Sequence, residues 1–313
     1  MVQVLEKKQI NDFLAELGKK FEIIDARNDI LPPKQYFFPP KEEIFTFDKK
    51  SARVSIPKIK KDFIIFGLSL PDLEAMVQLD EIMRKPQEDF FYFQRRNRAY
   101  LIGLSEDPIC LPPVCALPGG DMILEKINEG QYRVLTLTDK GKKIAKSRFL
   151  KSFKNIEIKK YPDGLVPMPT LKKMLLDPEY LSDIVAWSWK NDAKIWDDLK
   201  DICLGCGICT YVCPLCYCFS VEDRNASRCR QWDACTLPNF AKISSGFNFH
   251  KTLKERYYNW FFHKFVRAYK EYGKSQCVAC GRCKKYCPAG IDIEKVLINI
   301  KEDYEKYLSV AKS

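Results

Sequence analysis

Eight cysteines in two identical runs are the residues of this sequence best placed to do chemistry. The first run is Cys203-x-x-Cys206-Gly207-x-Cys209-x-x-x-Cys213-Pro214, and the second is Cys277-x-x-Cys280-Gly281-x-Cys283-x-x-x-Cys287-Pro288. Both follow the C-x2-C-x2-C-x3-C-P pattern that binds [4Fe–4S] clusters. Three thiolates two residues apart let one loop wrap a corner of a cube and give three ligands to one cluster. The fourth, just before proline, points away and completes the other. The spacing therefore predicts Cys203, Cys206, Cys209 and Cys287 on one cluster, with Cys277, Cys280, Cys283 and Cys213 on the second. Gly207 and Gly281 suit loops that approach inorganic sulfide closely, and Pro214 and Pro288 turn the chain away without offering an N–H. Structural zinc also uses C-x2-C pairs, but an ion with four ligands has no use for four cysteines plus proline, repeated.

The chain has 14 cysteines, and only Cys110 and Cys115 precede residue 200. Such crowding in a large chain suits metal binding better than a disulfide framework. Four more, Cys216, Cys218, Cys229 and Cys235, lie between the motifs. They read either as small buried hydrophobes or, with Cys110 or Cys115, as ligands of a third iron–sulfur cluster. A third cluster predicts about 12 iron atoms per chain where two predict about 8. His250 and His263 read as packed or surface residues, with a hydrogen bond to a cluster as the sharper alternative. Trp187, Trp189, Trp196, Trp232 and Trp260 are expected to pack around the clusters and keep water out.

The elements that position these residues divide the chain into a mixed α/β region, 1–170, and a helical region, 171–313. In the first, apolar residues at Ile10, Phe13, Leu14 and Leu17 predict a helix over 8–20, and Pro71-Asp72-Leu73 opens another to about Met83. Short apolar runs predict strands at 44–47, 63–66, 99–104 and 132–137. Pro162, Gly164, Pro167 and Pro169 mark a linker. Beyond it, helices are expected over 171–176, 181–199, 249–272 and 291–308, giving helix, cluster, helix, cluster, helix. The fold class expected is α+β, with an α-helical ferredoxin-type second domain carrying two [4Fe–4S] clusters.

The net charge is +11. Without a nucleic-acid motif or a concentrated basic tract, it does not indicate nucleic-acid binding. Two clusters, each with a net charge of −2 including its thiolates, would lower it to about +7. Lys and Arg near them would favour the reduced state and could dock an acidic partner. No apolar run approaches the roughly 18 residues of a membrane span. The N-terminus lacks an apolar segment and cleavage site, which predicts a cytoplasmic protein. No Gly-rich dinucleotide fingerprint occurs, nor any nucleophile–base pair, so no catalytic residue and no NAD or FAD site is expected.

The wide separation of the motifs is similar to that of the α-helical ferredoxin domains in succinate dehydrogenase iron–sulfur subunits and heterodisulfide reductase subunits. More closely, the chain resembles the family of archaeal sulfhydrogenase beta subunits and the dicluster electron-transfer protein of anaerobic sulfite reductase. The resemblance rests on 203–219, on Arg230-Gln231-Trp232-Asp233-Ala234-Cys235, on His263-Lys264-Phe265 and on Cys277–Ile293. It extends more loosely through Leu31-Pro32-Pro33-Lys34, Phe38-Pro39, Glu43, Phe45, Gly67 and Pro71-Asp72-Leu73. It implies an electron relay that joins the catalytic subunit of an oxidoreductase to a partner binding flavin and pyridine nucleotide. That catalytic subunit would be a [NiFe] hydrogenase, or alternatively a sulfite reductase or heterodisulfide-reductase-like enzyme. A cluster-bearing sensor or structural module is the reading from another class. The family has Pro-Cys-Asp where this chain has Pro71-Asp72, and a cysteine-rich patch where this chain keeps Cys110 and Cys115. No cluster or cofactor is therefore carried over to the first region.

Overall fold

The computed structural model describes residues 2–107, 109, 119–153 and 168–311. Cys110 and Cys115 lie outside the described residues, as does most of the expected linker. The chain divides into two units, Met1–Phe37 with Lys58–Pro167 and Phe38–Pro57 with Met168–Ser313.

The strands are β1 (Val2–Glu6), β2 (Glu22–Asp25), β3 (Lys41–Asp48), β4 (Arg53–Ser55), β5 (Phe63–Leu68), β6 (Ala99–Ser105), β7 (Met122–Asn128), β8 (Gln131–Thr136), β9 (Lys151–Phe153), β10 (Phe219–Arg224) and β11 (Ser227–Trp232). The first unit is built on a seven-stranded sheet in the order β2-β5-β6-β7-β8-β1-β9. Its β2 to β7 side is parallel, and β8, β1 and β9 add antiparallel strands. Parallel strands buried on both faces read as unbroken apolar runs, which is the pattern of Phe63-Ile64-Ile65-Phe66. Ile64, Phe66, Ile102 and Leu124 join Phe13 and Leu17 of helix Ile10–Gly18 in one core cluster. Ile65, Leu101 and Ile123 are also fully buried, and helix Leu70–Ile82 packs against β6. Ser69 caps that helix by accepting from the Asp72 N–H, with proline early in the first turn as helix starts favour.

The second unit is not wholly helical. Residues 38–57, expected to belong to the first region, supply β3 and β4 to a four-stranded antiparallel sheet ordered β10-β11-β3-β4. Arg230 and Glu42 form a buried ion pair between β11 and β3. Hairpin β10–β11 stands between the two cysteine motifs, where the sequence suggested mostly helix. The helix expected over 181–199 is two helices, Pro178–Lys190 and Ile195–Ile202. They break at Asn191-Asp192, where Asp192 has φ +48°. Trp196 from the second is buried and donates to Ser188 Oγ of the first at 3.2 Å, which fixes the angle between them. Trp189 stacks on Tyr258 at 4.3 Å, tying this pair to helix Leu253–Phe261.

Candidate metal centre

Each cysteine motif folds as a loop followed by a single helical turn, Ile208–Tyr211 in the first and Arg282–Lys285 in the second. The loops share a backbone pattern with left-handed residues on either side of the second cysteine. These are Gly205 (φ +61°) and Gly207 (φ +79°) in the first, Ala279 (φ +54°) and Gly281 (φ +75°) in the second. Positive φ reverses the chain twice within four residues, which curls three thiols around one point. The two short helices pack together, so the last cysteine of each run reaches the other loop.

The result is two adjacent cavities with crossed linings. Cys203, Cys206, Cys209 and Cys287 line one. Cys277, Cys280, Cys283 and Cys213 line the other, and Cys283 borders both. No cysteine is in a disulfide among the described residues. No three His, Cys, Asp or Glu side chains among these residues converge on a single ion.

The surroundings fit an anionic, sulfur-rich occupant. The Gly205 N–H donates to Cys203 Sγ and the Ile291 N–H to Cys287 Sγ, each at 3.4 Å, bonds that favour a charged thiolate. Thr236 and Trp260 line the first cavity, and their buried Oγ1 and Nε1 have no hydrogen-bond partner among the described residues. Such orphaned polar atoms are expensive unless a partner completes them. Burial pushes the thiols of Cys203, Cys277, Cys280 and Cys283 above their usual range, and Cys209 up to about 12. Metal loading must therefore displace protons from them.

The sequence alone assigns no role to Lys264. In the fold it is 3% exposed, and its Nζ lies 3.1 Å from Cys213 Sγ, 3.2 Å from Gln276 O and 5.0 Å from the Trp260 ring centre. Burial alone would favour the neutral amine, but Cys213, Cys216, Cys277 and Cys283, once they are thiolates as in a loaded site, outweigh it and hold the ammonium form. A π-helical turn, Phe262–Arg267, presents it. There the Ala268 N–H bonds to His263 O, which frees Lys264 O to accept from the Gln276 N–H at 2.7 Å. Wide turns of this kind are frequent at functional sites. A lone cation between Phe261, Phe262, Phe265 and Val266 was the available signal.

The other expectations separate. Cys216, Cys218 and Cys235 meet at a third cavity with His263, whereas Cys229 sits on β11 with its Sγ 3.6 Å from Ser227 Oγ. Burial, then Arg267, pushes the His263 imidazole down to about 4, leaving it neutral. His250 precedes helix Leu253–Phe261 instead of lying within it. Of the tryptophans, Trp260 borders a cysteine cavity. Trp187 packs on Tyr304 and Tyr307, and Trp232 on Phe38.

Gly207 is the tightest point of the first loop. A Cβ there would sit 2.9 Å from Ala234 Cβ, while one at Gly281 would meet nothing within 4 Å. Gly281→Ala should cost about 1–2 kcal/mol for its left-handed backbone. Gly207→Ala should cost about 1–3 kcal/mol more for the clash. Thermal unfolding of anaerobically loaded protein checks this order; equal losses would contradict it.

Residues 202–291 match a family of 4Fe-4S dicluster domains. The chain is 30% identical to sulfhydrogenase 2 subunit beta of Pyrococcus furiosus, over 89% of this chain and 85% of that protein. No solved structure matches significantly. With its dicluster domain the chain carries two [4Fe–4S] clusters and is an iron–sulfur electron-transfer subunit of a multisubunit redox complex. It belongs to the sulfhydrogenase beta-subunit family.

Proposed function

We propose that this chain relays single electrons between a flavin- and pyridine-nucleotide-binding partner and the catalytic subunit of a cytoplasmic [NiFe] hydrogenase, without catalysing a reaction itself. The observation that carries this reading is the pair of adjoining cavities, each lined by four cysteines and both bordered by Cys283. When bound, [4Fe–4S] clusters accept and release one electron at a time over a wide range of potentials. The eight motif cysteines hold the two clusters in the crossed arrangement, in a domain related to α-helical ferredoxins. Trp260, Val278, Ile293 and other buried apolar side chains keep water from the site. The first unit serves subunit docking.

The way in or out is at Cys206. It is the exposed member of the eight, with Ile202 and Leu204 exposed beside it. An apolar rim around the most accessible ligand suits a protein partner. Among the described residues no helix is long and apolar enough to cross a membrane.

Anaerobic isolation from the native organism, with identification of the co-purifying subunits, tests the assignment. A hydrogenase large subunit together with a flavoprotein is the expected result. A sirohaem sulfite reductase or heterodisulfide-reductase subunit would transfer the relay to sulfur chemistry. Recovery of the chain alone, with clusters that no physiological donor reduces, would leave a sensor or structural module.

A further inference from the structure

Cys216, Cys218 and Cys235 line a third cavity, together with His263, Lys264 and Arg267. At about 290 Å³ it is larger than either cavity of the paired motifs. Cysteines that serve only as small apolar side chains fill space; these three surround a void. Cys216 and Cys235 are nevertheless 7% and 2% exposed, so the void is set into the protein interior and not scattered over its surface. On the same wall, the buried Lys264 ammonium, with Arg267 beside it paired to Glu271, matches an anionic occupant. The Cys218 and Cys235 thiols hydrogen-bond to each other, with Cys216 close by, so the three already meet in one place.

The position is also apt. Lys264 lines both this cavity and the one bearing Cys213, and Trp260 lines both this cavity and the one bearing Cys203. The third cavity therefore borders each of the other two. The π-helical turn that carries Lys264 brings His263 and Arg267 to the same wall.

We propose that Cys216, Cys218 and Cys235 hold a third iron–sulfur cluster in this cavity, with His263 as the fourth protein ligand. Histidine replaces cysteine as a ligand in Rieske centres, so a mixed set is chemically sound. The inference rests on the reading of the paired motifs as cluster sites, and adds a one-electron site beside them.

Iron and acid-labile sulfide are to be counted in the full chain after anaerobic purification and reconstitution, with zinc measured alongside. The expected count is about 12 iron atoms per chain, falling to about 8 in Cys235→Ser and staying near 12 in Cys229→Ser. His263→Ala should change the electron-paramagnetic-resonance signature of one cluster and leave two as they were. A wild-type count of about 8, the same in Cys235→Ser, would overturn the third cluster and leave the paired sites intact. One zinc per chain in place of the extra iron would overturn it as well. Loss of iron in Cys229→Ser would overturn the ligand set. A wild-type count near zero would instead remove the paired-motif reading itself. The wild-type count decides the matter even if a variant fails to fold.

Discussion

A Cys287→Ala variant is expected to lose about four iron atoms per chain, and to lose them from the cluster wrapped by the first motif and not its own. Cys287 belongs to the second run by sequence, but it lines the cavity of Cys203, Cys206 and Cys209. Of the two motif clusters, the survivor should be the one bounded by Cys277, Cys280, Cys283 and Cys213. Spectra of the reduced protein distinguish the two ligations. Neighbouring paramagnets broaden and split each other's resonances, and the variant should lose the splitting that the first-motif cluster contributes. The survivor should still respond to substitution of Lys264, whose ammonium is 3.1 Å from Cys213 Sγ. If each motif instead held its own cluster, the survivor would be held by Cys203, Cys206, Cys209 and Cys213, and adding Cys206→Ser to Cys287→Ala would destroy it, whereas in the crossed arrangement that second substitution leaves the survivor unchanged. Under the proposed relay, electron throughput of the assembled complex should fall sharply in the variant.

The paired motifs were legible because ligand spacing is written in the chain and depends little on tertiary context. The crossed lining of the two cavities follows the same local logic, since three thiols curl into one loop and the fourth follows a helical turn. One feature of the same loops was hidden. Gly205 and Gly207 advertise left-handed backbone, but Ala279 takes φ +54° at the position matching Gly205, where an alanine gives no such signal. Strands β5 and β6 showed as apolar runs because both faces are buried. Hairpin β10–β11 did not, because Val221-Glu222-Asp223-Arg224 and Arg228-Cys229-Arg230 carry charge on a sheet with much exposed surface. Its pairing with residues 38–57 is a long-range contact that no local pattern encodes. Nor could spacing separate Cys229 from Cys216, Cys218 and Cys235. Only the fold does so, by placing Cys229 on a strand.

Lys264 is where tertiary context most changes the meaning of a residue, and its replacement has the largest expected effect that removes no ligand. On a helix, lysine ordinarily marks a solvated face. Here it is buried, and an ammonium so placed favours whichever cluster state carries more negative charge. At an effective dielectric of about 20 and a distance of about 6 Å, one unit charge contributes about 3 kcal/mol. For a one-electron couple, with 59 mV per tenfold in equilibrium constant, that is about 100 mV. Lys264→Met keeps the length and apolar stem of the side chain while deleting its charge. It should lower the midpoint potential of the cluster at Cys213 by about 100 mV, leaving the cluster at Cys203 shifted much less. Lys264→Arg should restore most of the difference if the guanidinium fits beside Gln276 O and the Trp260 ring. Spectroelectrochemical titration of the purified chain, monitored by the reduced-state resonance, resolves the two midpoints. A purely structural Lys264 would give broadened spectra or lost iron with unmoved midpoints, and Arg would not rescue. Should the midpoint fall as expected, the complex would have to draw on a stronger donor to load this cluster. Transfer from a fixed donor would then slow while iron content stayed at the wild-type level, which separates a charge effect from damage to the site.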